Sequence, residues 1–424
     1  MGSAEVYRIP GWRPEVPDLS APELTHMLKN LAPAWALKQR IRAMNARRET
    51  KELDMSVFPD LRIQAVERSR LGEVDFDNLG FGDDFSDHMF SLLFEDGRWQ
   101  RPEILPFGPL PLHPSALSLH YGQAVFEGLK AFRGKDGLVR LFRPHMNANR
   151  LVESCRRLCI PPIDPEVFHA AIEHLIRLDH AWIPRVRGQS LYIRPIVFGT
   201  ESHLEVRPAQ TFRFVVMTAP VRKYFQDDVK AIELKAEEKY TRAAAGGMGY
   251  AKTAGNYAAS LYPGELGRSE GYAQVLWLDG AEHRYVEEVG AMNIFFKFKD
   301  AVVTPPLHGT ILPGVTRDSV IALLRDQGMP VKERLVDIDE VVNGMRSGEL
   351  EEIFGAGTAA VICPVGAIAY RGQRHEMGGT GAGPLTRELY DTITGIQLGE
   401  VKDKFGWTRV VDVDAPVSVV AAGD

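Results

Sequence analysis

Gly355-Ala-Gly-Thr358-Ala-Ala360, running straight into Val361-Ile-Cys-Pro364-Val, decides which α/β architecture this chain can adopt. The first six residues match the G-x-G-x-x-A pattern of a dinucleotide-binding turn, and they follow a strand-like Glu352-Ile-Phe. A dinucleotide turn must open a helix, because the pyrophosphate rests on the unpaired N–H groups of the first helical residues. Pro364 and its β-branched neighbours deny that helix. The dinucleotide reading fails. What remains is a tight turn that offers N–H groups and the Thr358 hydroxyl to a phosphate or a carboxylate.

Working outward, strand patterns appear at Met89-Phe-Ser-Leu-Leu-Phe, Val139-Arg-Leu-Phe, Ser190-Leu-Tyr-Ile-Arg and Phe212-Arg-Phe-Val-Val-Met. Two amphipathic helices are expected near 146–158 and 165–180. Residues 69–221 thus read as one small α+β domain. The polar stretch 222–232, with Gln226-Asp-Asp, reads as a linker over the opening of a cleft. Residues 233–424 form a second domain, with strands at 271–278, 293–298 and 351–354 and helices at 316–328 and 384–397. Strands and helices do not alternate regularly, which excludes a doubly wound sheet. Residues 1–68 differ in texture. They are Pro-punctuated, then carry Met27, Leu28, Leu31, Trp35 and Ile41 at helical spacing with Pro33 as a kink. This extension reads either as a docked appendage or oligomer contact, or as a segment packed on its own body.

A chain of 424 residues is long enough for two cores. Its net charge of −6 gives no broad basic surface, so a nucleic-acid partner is not expected and a small-molecule enzyme is. No apolar run approaches the roughly 18 residues of a membrane span. Three cysteines, Cys155, Cys159 and Cys363, are too few and odd in number for a disulfide framework, which points to the cytoplasm. The opening residues lack the order of a secretory signal, and Glu49, Glu52 and Asp54 in the first arginine-rich stretch argue against a transit peptide.

The densest chemical signal is Gly246-Gly-Met-Gly-Tyr-Ala-Lys252-Thr-Ala-Gly-Asn-Tyr257, a lysine among small residues that let a ligand approach the backbone. A desolvated lysine loses its proton more easily, and the free amine can attack a carbonyl. Most lysines are only solvated surface charges, so this one needs company. Val286-Glu-Glu288-Val-Gly-Ala-Met-Asn293 supplies an acid that could hold a proton on a pyridine nitrogen, or could be a strand-end glutamate facing solvent. Leu312-Pro-Gly-Val315-Thr316 supplies a turn and a helix start, which is either an anion site or a cap built from Thr316. No metal-ligand cluster is read from the sequence.

In order and together these segments resemble the branched-chain aminotransferases, the pyridoxal-phosphate (PLP) enzymes of fold type IV. The resemblance runs from about 84 to 410. It also rests on His88-Met, Leu119-His-Tyr121, Val125-Phe126-Glu-Gly-Leu-Lys-Ala-Phe, Arg143-Pro-His-Met-Asn-Ala-Asn-Arg150-Leu, Leu191-Tyr192-Ile-Arg194-Pro and Thr394-Gly-Ile-Gln. It implies an α+β fold with a small N-terminal domain and a larger pseudo-barrel domain, and the cofactor pyridoxal 5'-phosphate. Lys252 would carry PLP covalently and move the proton at the substrate Cα. Glu288 would face the pyridine nitrogen and Tyr257 the ring oxygen, while Arg150, Arg242, Val315, Thr316 and Thr358 would hold the phosphate. Tyr121, Phe126, Tyr192 and Tyr224 would line the side-chain pocket, with Arg194 receiving the second carboxylate of glutamate. Thr358 and Ala359 would bind the α-carboxylate.

The implied reaction moves the amino group of leucine, isoleucine or valine to 2-oxoglutarate. The implied assembly is a homodimer in which Tyr121 or its neighbours reach the partner's site. Arg222-Lys223 stands before Tyr224 where the family usually has a smaller, glycine-containing turn. Ala360, three residues before Cys363, removes the Cys-x-x-Cys redox centre of some members. A D-amino-acid aminotransferase and an aminodeoxychorismate lyase are the rivals on the same fold, and Tyr192-Ile-Arg194 with Glu288-Val-Gly-Ala-Met-Asn favours the branched-chain group over both. From another class, the chain could be a silent binding module working through its extension, against which Lys252, Glu288 and Tyr257 stand together.

Overall fold

In the computed structural model the described residues are 57–222, 231–378 and 381–415. Tyr224, the linker tip Gln226-Asp-Asp and the helix-like run from Met27 to Ile41 lie outside them.

The first half contributes β1 (Arg62–Ile63), β2 (His88–Glu95), β3 (Arg98–Trp99), β4 (Glu103–Pro106), β5 (Ala124–Phe126), β6 (Leu129–Arg133), β7 (Val139–Phe142), β8 (Ser190–Gly199) and β9 (Phe212–Val221). Its helices are α1 (Leu117–Tyr121), α2 (Pro144–Arg157) and α3 (Pro165–Leu178). The second half adds β10 (Ile232–Glu237), β11 (Gln274–Leu278), β12 (Val286–Val289), β13 (Met292–Phe298), β14 (Val302–Thr304), β15 (Val331–Glu333), β16 (Leu350–Gly357), β17 (Val361–Tyr370), β18 (Gln373–Glu376) and β19 (Thr408–Val411). With them come α4 (Ala254–Ser269), α5 (Val315–Asp326), α6 (Ile338–Ser347) and α7 (Pro384–Leu398).

Two sheets result. The first runs β1-β4-β2-β9-β8-β6-β7-β19, with β3 on β2 and β5 on β8. Its inner face meets α2 and α3 over a core that includes Phe90, Leu141, Leu151, Phe168, Leu175, Ile193 and Phe214. The second runs β12-β11-β10-β17-β16-β13, and β12 also pairs with β13, so six strands close into a barrel. β14, β15 and β18 extend it. This is the pseudo-barrel that the resemblance implies. Closure leaves these six strands without a free edge. A third core joins the sheets, with Phe132 and Phe142 from the first, Phe295 and Phe354 from the second, and Val320, Leu389 and Ile393 from α5 and α7.

The domain limits shift at both ends. Residues 57–68, read as extension, belong to the first sheet's layer, because Phe58, Leu61 and Ile63 are buried in its core and β1 pairs with β4. β19, read as part of the second domain, returns to pair with β7 of the first sheet. Gly355–Ala360 forms the end of β16 and a tight turn into β17, where Pro364 lies opposite Phe354. No helix follows, as the rejection of the dinucleotide reading requires.

Candidate active site

Lys252 is placed by backbone bonds from the first sheet. The Phe126 N–H donates to the Lys252 carbonyl at 3.0 Å, Val125 bridges Thr253, and the Lys252 N–H donates to Ser154 Oγ at 2.9 Å. Lys252 therefore stands at the junction of β5, α2 and the start of α4. Its Nζ donates to the Tyr257 hydroxyl at 2.6 Å and lies 4.9 Å from the Phe126 ring centre. Burial, reinforced by the nearby Arg150 guanidinium, lowers the lysine to about 8. Burial pushes the Tyr257 phenol up to about 12, so it stays protonated. A lysine in this state is a nucleophile near neutrality.

α2 explains much of the site by its periodicity. Pro144 suits the first helical position, and the rows facing the sheet include Leu151 and Cys155 but also Asn147, Arg150 and Ser154. Those polar side chains are buried because they have partners. Arg150 Nε and Nη2 donate to the two oxygens of Glu127 at 2.7 and 2.9 Å, Asn147 donates to Glu127 at 2.8 Å, and Arg150 Nη1 donates to the Pro313 carbonyl at 3.0 Å. Glu127 is fully buried, and its ion pair with Arg150 holds its carboxyl below the usual range against the cost of burial. The bond to Pro313 ties Arg150 to the loop that opens α5.

That loop is an anion-binding end in form. Gly314 is the cap of α5 and makes no side-chain cap bond, Val315 and Thr316 are its first two residues, and both are buried. Thr316 is inside the helix, so the reading of it as the cap is corrected. A Cβ at Gly314 would sit 2.0 Å from Asn293 Oδ1, so the close approach requires glycine. Asn293 Nδ2 in turn donates to the Leu312 carbonyl at 2.9 Å and to Glu288 at 3.4 Å.

Glu288, on β12, accepts from the Leu312 N–H at 2.9 Å and faces Arg242 Nε at 3.3 Å. Burial raises its carboxyl, and Arg242 opposes the rise. Arg242 also faces Glu287 at 3.5 Å and donates to the Thr310 carbonyl. Two carboxylates and a carbonyl hold this buried guanidinium, which the resemblance assigns to the phosphate, and its Nε is left without a hydrogen-bond partner. Arg242, Tyr257, Trp277, Glu288 and Leu312 wall a cavity of about 180 Å3 that runs under α4 to Ser260 and Arg268. Lys252 is not in this wall; Tyr257, which holds its amine, is.

Around Lys252 the aromatics gather as a group. Phe126 packs against Tyr257 at 4.7 Å between ring centres. Arg194 lies over Phe126 at 4.9 Å and reaches the Tyr192 hydroxyl at 3.3 Å, while its buried Nε has no partner. Phe81 stacks edge-on to Tyr192 at 5.0 Å. Thr358 and Ala359 form the half-buried turn after β16. Tyr121 is not part of the group: it is 43% exposed and its hydroxyl donates to the Leu204 carbonyl. Among the described residues no cluster of three or more His, Cys, Asp or Glu suits a metal ion.

Sequence reasoning missed Glu127, Asn147 and Ser154. The signal for Glu127 was a lone acid between two apolar strands, which only a buried cation would permit.

Residues 124–368 match the family model described as amino-transferase class IV. The chain is 50% identical over 336 residues to the branched-chain-amino-acid transaminase 1 of Bacillus subtilis (strain 168), covering 79% of this chain and 94% of that one. Among solved structures, the T.th. branched-chain amino acid aminotransferase with pyridoxamine 5'-phosphate is similar, with a TM-score of 0.63, 27% identity, and coverage of 76% of this chain and 98% of that one. The same enzyme complexed with N-(5'-phosphopyridoxyl)-L-glutamate gives a TM-score of 0.62 at 27% identity, with the same coverage. With the matched model spanning the strand before Lys252 through the barrel strand after Thr358, this chain belongs to the class IV aminotransferases.

Proposed function

We propose that the chain is a PLP-dependent aminotransferase that moves the amino group of branched-chain L-amino acids to 2-oxoglutarate. The observation that carries the reading is the buried Lys252 amine at 2.6 Å from Tyr257, lowered to about 8 and flanked by Phe126 and Arg194. Bound PLP supplies an electron sink that labilises the substrate Cα–H bond.

The residues present fit that group. Glu288, buried and already paired with a cation, would meet the ring nitrogen. Tyr257, protonated, would donate to the ring oxygen. Val315 and Thr316 N–H groups, the hydroxyls of Thr316 and Thr358, and the free N–H groups of Arg150 would take the phosphate. Lys252, as a free amine, accepts the proton at Cα and returns it on the other side of the transfer.

For the substrate, Phe126, Tyr192 and Phe81 offer an apolar wall to a branched side chain. Selectivity among leucine, isoleucine and valine would follow methylene fit, worth about 1–3 kcal/mol each. The partnerless Arg194 Nε and the Tyr192 hydroxyl give glutamate's second carboxylate a place in the same wall. Thr358 and Ala359 take the α-carboxylate. A cytoplasmic homodimer is the assembly we expect, with Tyr121 and Leu119, exposed on α1, on the shared face.

The test is transamination with 2-oxoglutarate across leucine, valine, glutamate and D-alanine. Leucine and valine should turn over and D-alanine should not; preference for D-alanine would overturn the reading. Lys252→Ala should bind PLP noncovalently and lose multiple turnover.

A further inference from the structure

The Thr394-Gly-Ile-Gln397 segment and Lys130 have no part in the site described above, yet the structure brings them to the back of the same turn. Lys130 lies on β6 directly opposite Tyr192 on β8. Directly paired residues of an antiparallel ladder rise from one face of the sheet. That face carries Tyr192 toward Arg194, and it carries Lys130 toward the β16–β17 turn, where Nζ donates to the Ala359 carbonyl at 2.8 Å. Lys130 is 8% exposed, and burial lowers its ammonium to about 8.

One carbonyl leaves two of the three ammonium protons to be placed. Beside Lys130 lies a cavity of about 20 Å3, walled by Ala359, Ala360, Tyr390, Thr394 and Gln397. It is large enough for one water. Gln397, 7% exposed on α7, has its Oε1 buried there without a partner. A buried acceptor with no donor and a buried cation with donors to spare line the same small space. The unsatisfied Gln397 Oε1 and the Lys130 ammonium distinguish it from an apolar packing defect, although Phe132, Val361 and Leu398 complete its wall.

We propose that Lys130 is a positioning residue for the substrate carboxylate. Its ammonium fixes the Ala359 carbonyl from behind, with Gln397 Oε1 as its second acceptor through one buried water. Because the peptide plane is rigid, holding that carbonyl fixes the Ala359–Ala360 peptide and with it the end of the turn that presents Thr358 and Ala359. The strained turn needs such a hold: Val361, a β-branched residue, sits at φ +63° immediately after it. The inference rests on the proposed role of Thr358 and Ala359 in binding the α-carboxylate.

The experiment uses PLP-loaded protein and 4-methylpentanoate, which is the leucine skeleton without its amino group, as a probe of carboxylate binding by calorimetry. KM and kcat are read in parallel. Lys130→Met should weaken 4-methylpentanoate about tenfold and raise KM for both amino acid and oxo acid similarly, with kcat changed less than threefold. Lys130→Arg, whose extra atoms the adjoining cavity can take, should restore binding to within about threefold. Gln397→Leu should weaken the probe about threefold, and it keeps the idea testable if Lys130→Met does not fold. Unchanged probe binding in folded Lys130→Met, or in Gln397→Leu, overturns the positioning role. Failure of the unaltered protein to bind 4-methylpentanoate overturns the substrate reading instead, before any variant is compared.

Discussion

Replacing Glu127 tests whether the site is held by one buried ion pair. Glu127 takes two bonds from Arg150 and one from Asn147 with no exposure to water. Breaking a buried pair by removing one partner costs about 3–5 kcal/mol, because the other charge is left uncompensated. Glu127→Ala removes both acceptors and should cost that full amount. Glu127→Gln keeps one oxygen and turns an amide N–H toward donors, so about 2–3 kcal/mol is expected. For a body of this length each kcal/mol moves the melting point by about 1–2 °C. Thermal melts of cofactor-free protein should therefore fall by roughly 2–6 °C for Glu127→Gln and 3–10 °C for Glu127→Ala.

A second effect follows from the same charges. Glu127 raises the Lys252 amine and Arg150 lowers it. Without Glu127 the amine should deprotonate more readily, and the pH midpoint for covalent PLP capture should move down. Glu127→Gln combined with Arg150→Met should recover stability, since a pair replaced by apolar groups is often neutral. A double variant no more stable than Glu127→Gln alone, or a midpoint that moves up, would refute the reasoning.

In the unaltered protein, PLP capture should accelerate as pH rises through about 8, because the ammonium predominates below that value and the free amine above it; stopped-flow absorbance reads this, and a flat profile from pH 7 to 9 would contradict it. Asp164 caps α3 by accepting from the Glu166 N–H at 2.8 Å, so Asp164→Ala should lower stability by about 0.5–2 kcal/mol and leave kcat unchanged. Cys155 and Cys363 are buried, with thiols pushed up to about 12. Mild peroxide should therefore leave activity intact, and a loss reversed by dithiol would show a thiol switch after all.

Local signals in the sequence were the readable ones. Lys252 and Tyr257 lie five residues apart across a helix start, and Pro364 alone settled the turn at Thr358. The starts of α2, α3, α5 and α7 fell within two residues of their expected places, because proline opens α2, α3 and α7 and the Pro313-Gly314 turn precedes α5. Pairings between distant segments were not readable. Arg242 and Arg150 look alike in sequence, yet one answers to Glu287 and Glu288 and the other to Glu127. Residues 57–68 are too short a run to show periodicity, so their membership in the first sheet appears only through the burial of Phe58, Leu61 and Ile63. β19 gave no hint of its partner for the same reason.

The return of β19 to β7 has a consequence for how the protein is made. Phe142 must wait for Thr408, and Glu173 for Arg409, with which it pairs at 2.6 Å. At roughly 5–20 residues per second, the ribosome delivers that last strand about a quarter of a minute to a minute after β7 has emerged. Until then the margin of the first sheet is bare, and a nascent chain held there offers an open ladder to other chains. Truncation before Thr408 would make that interval permanent.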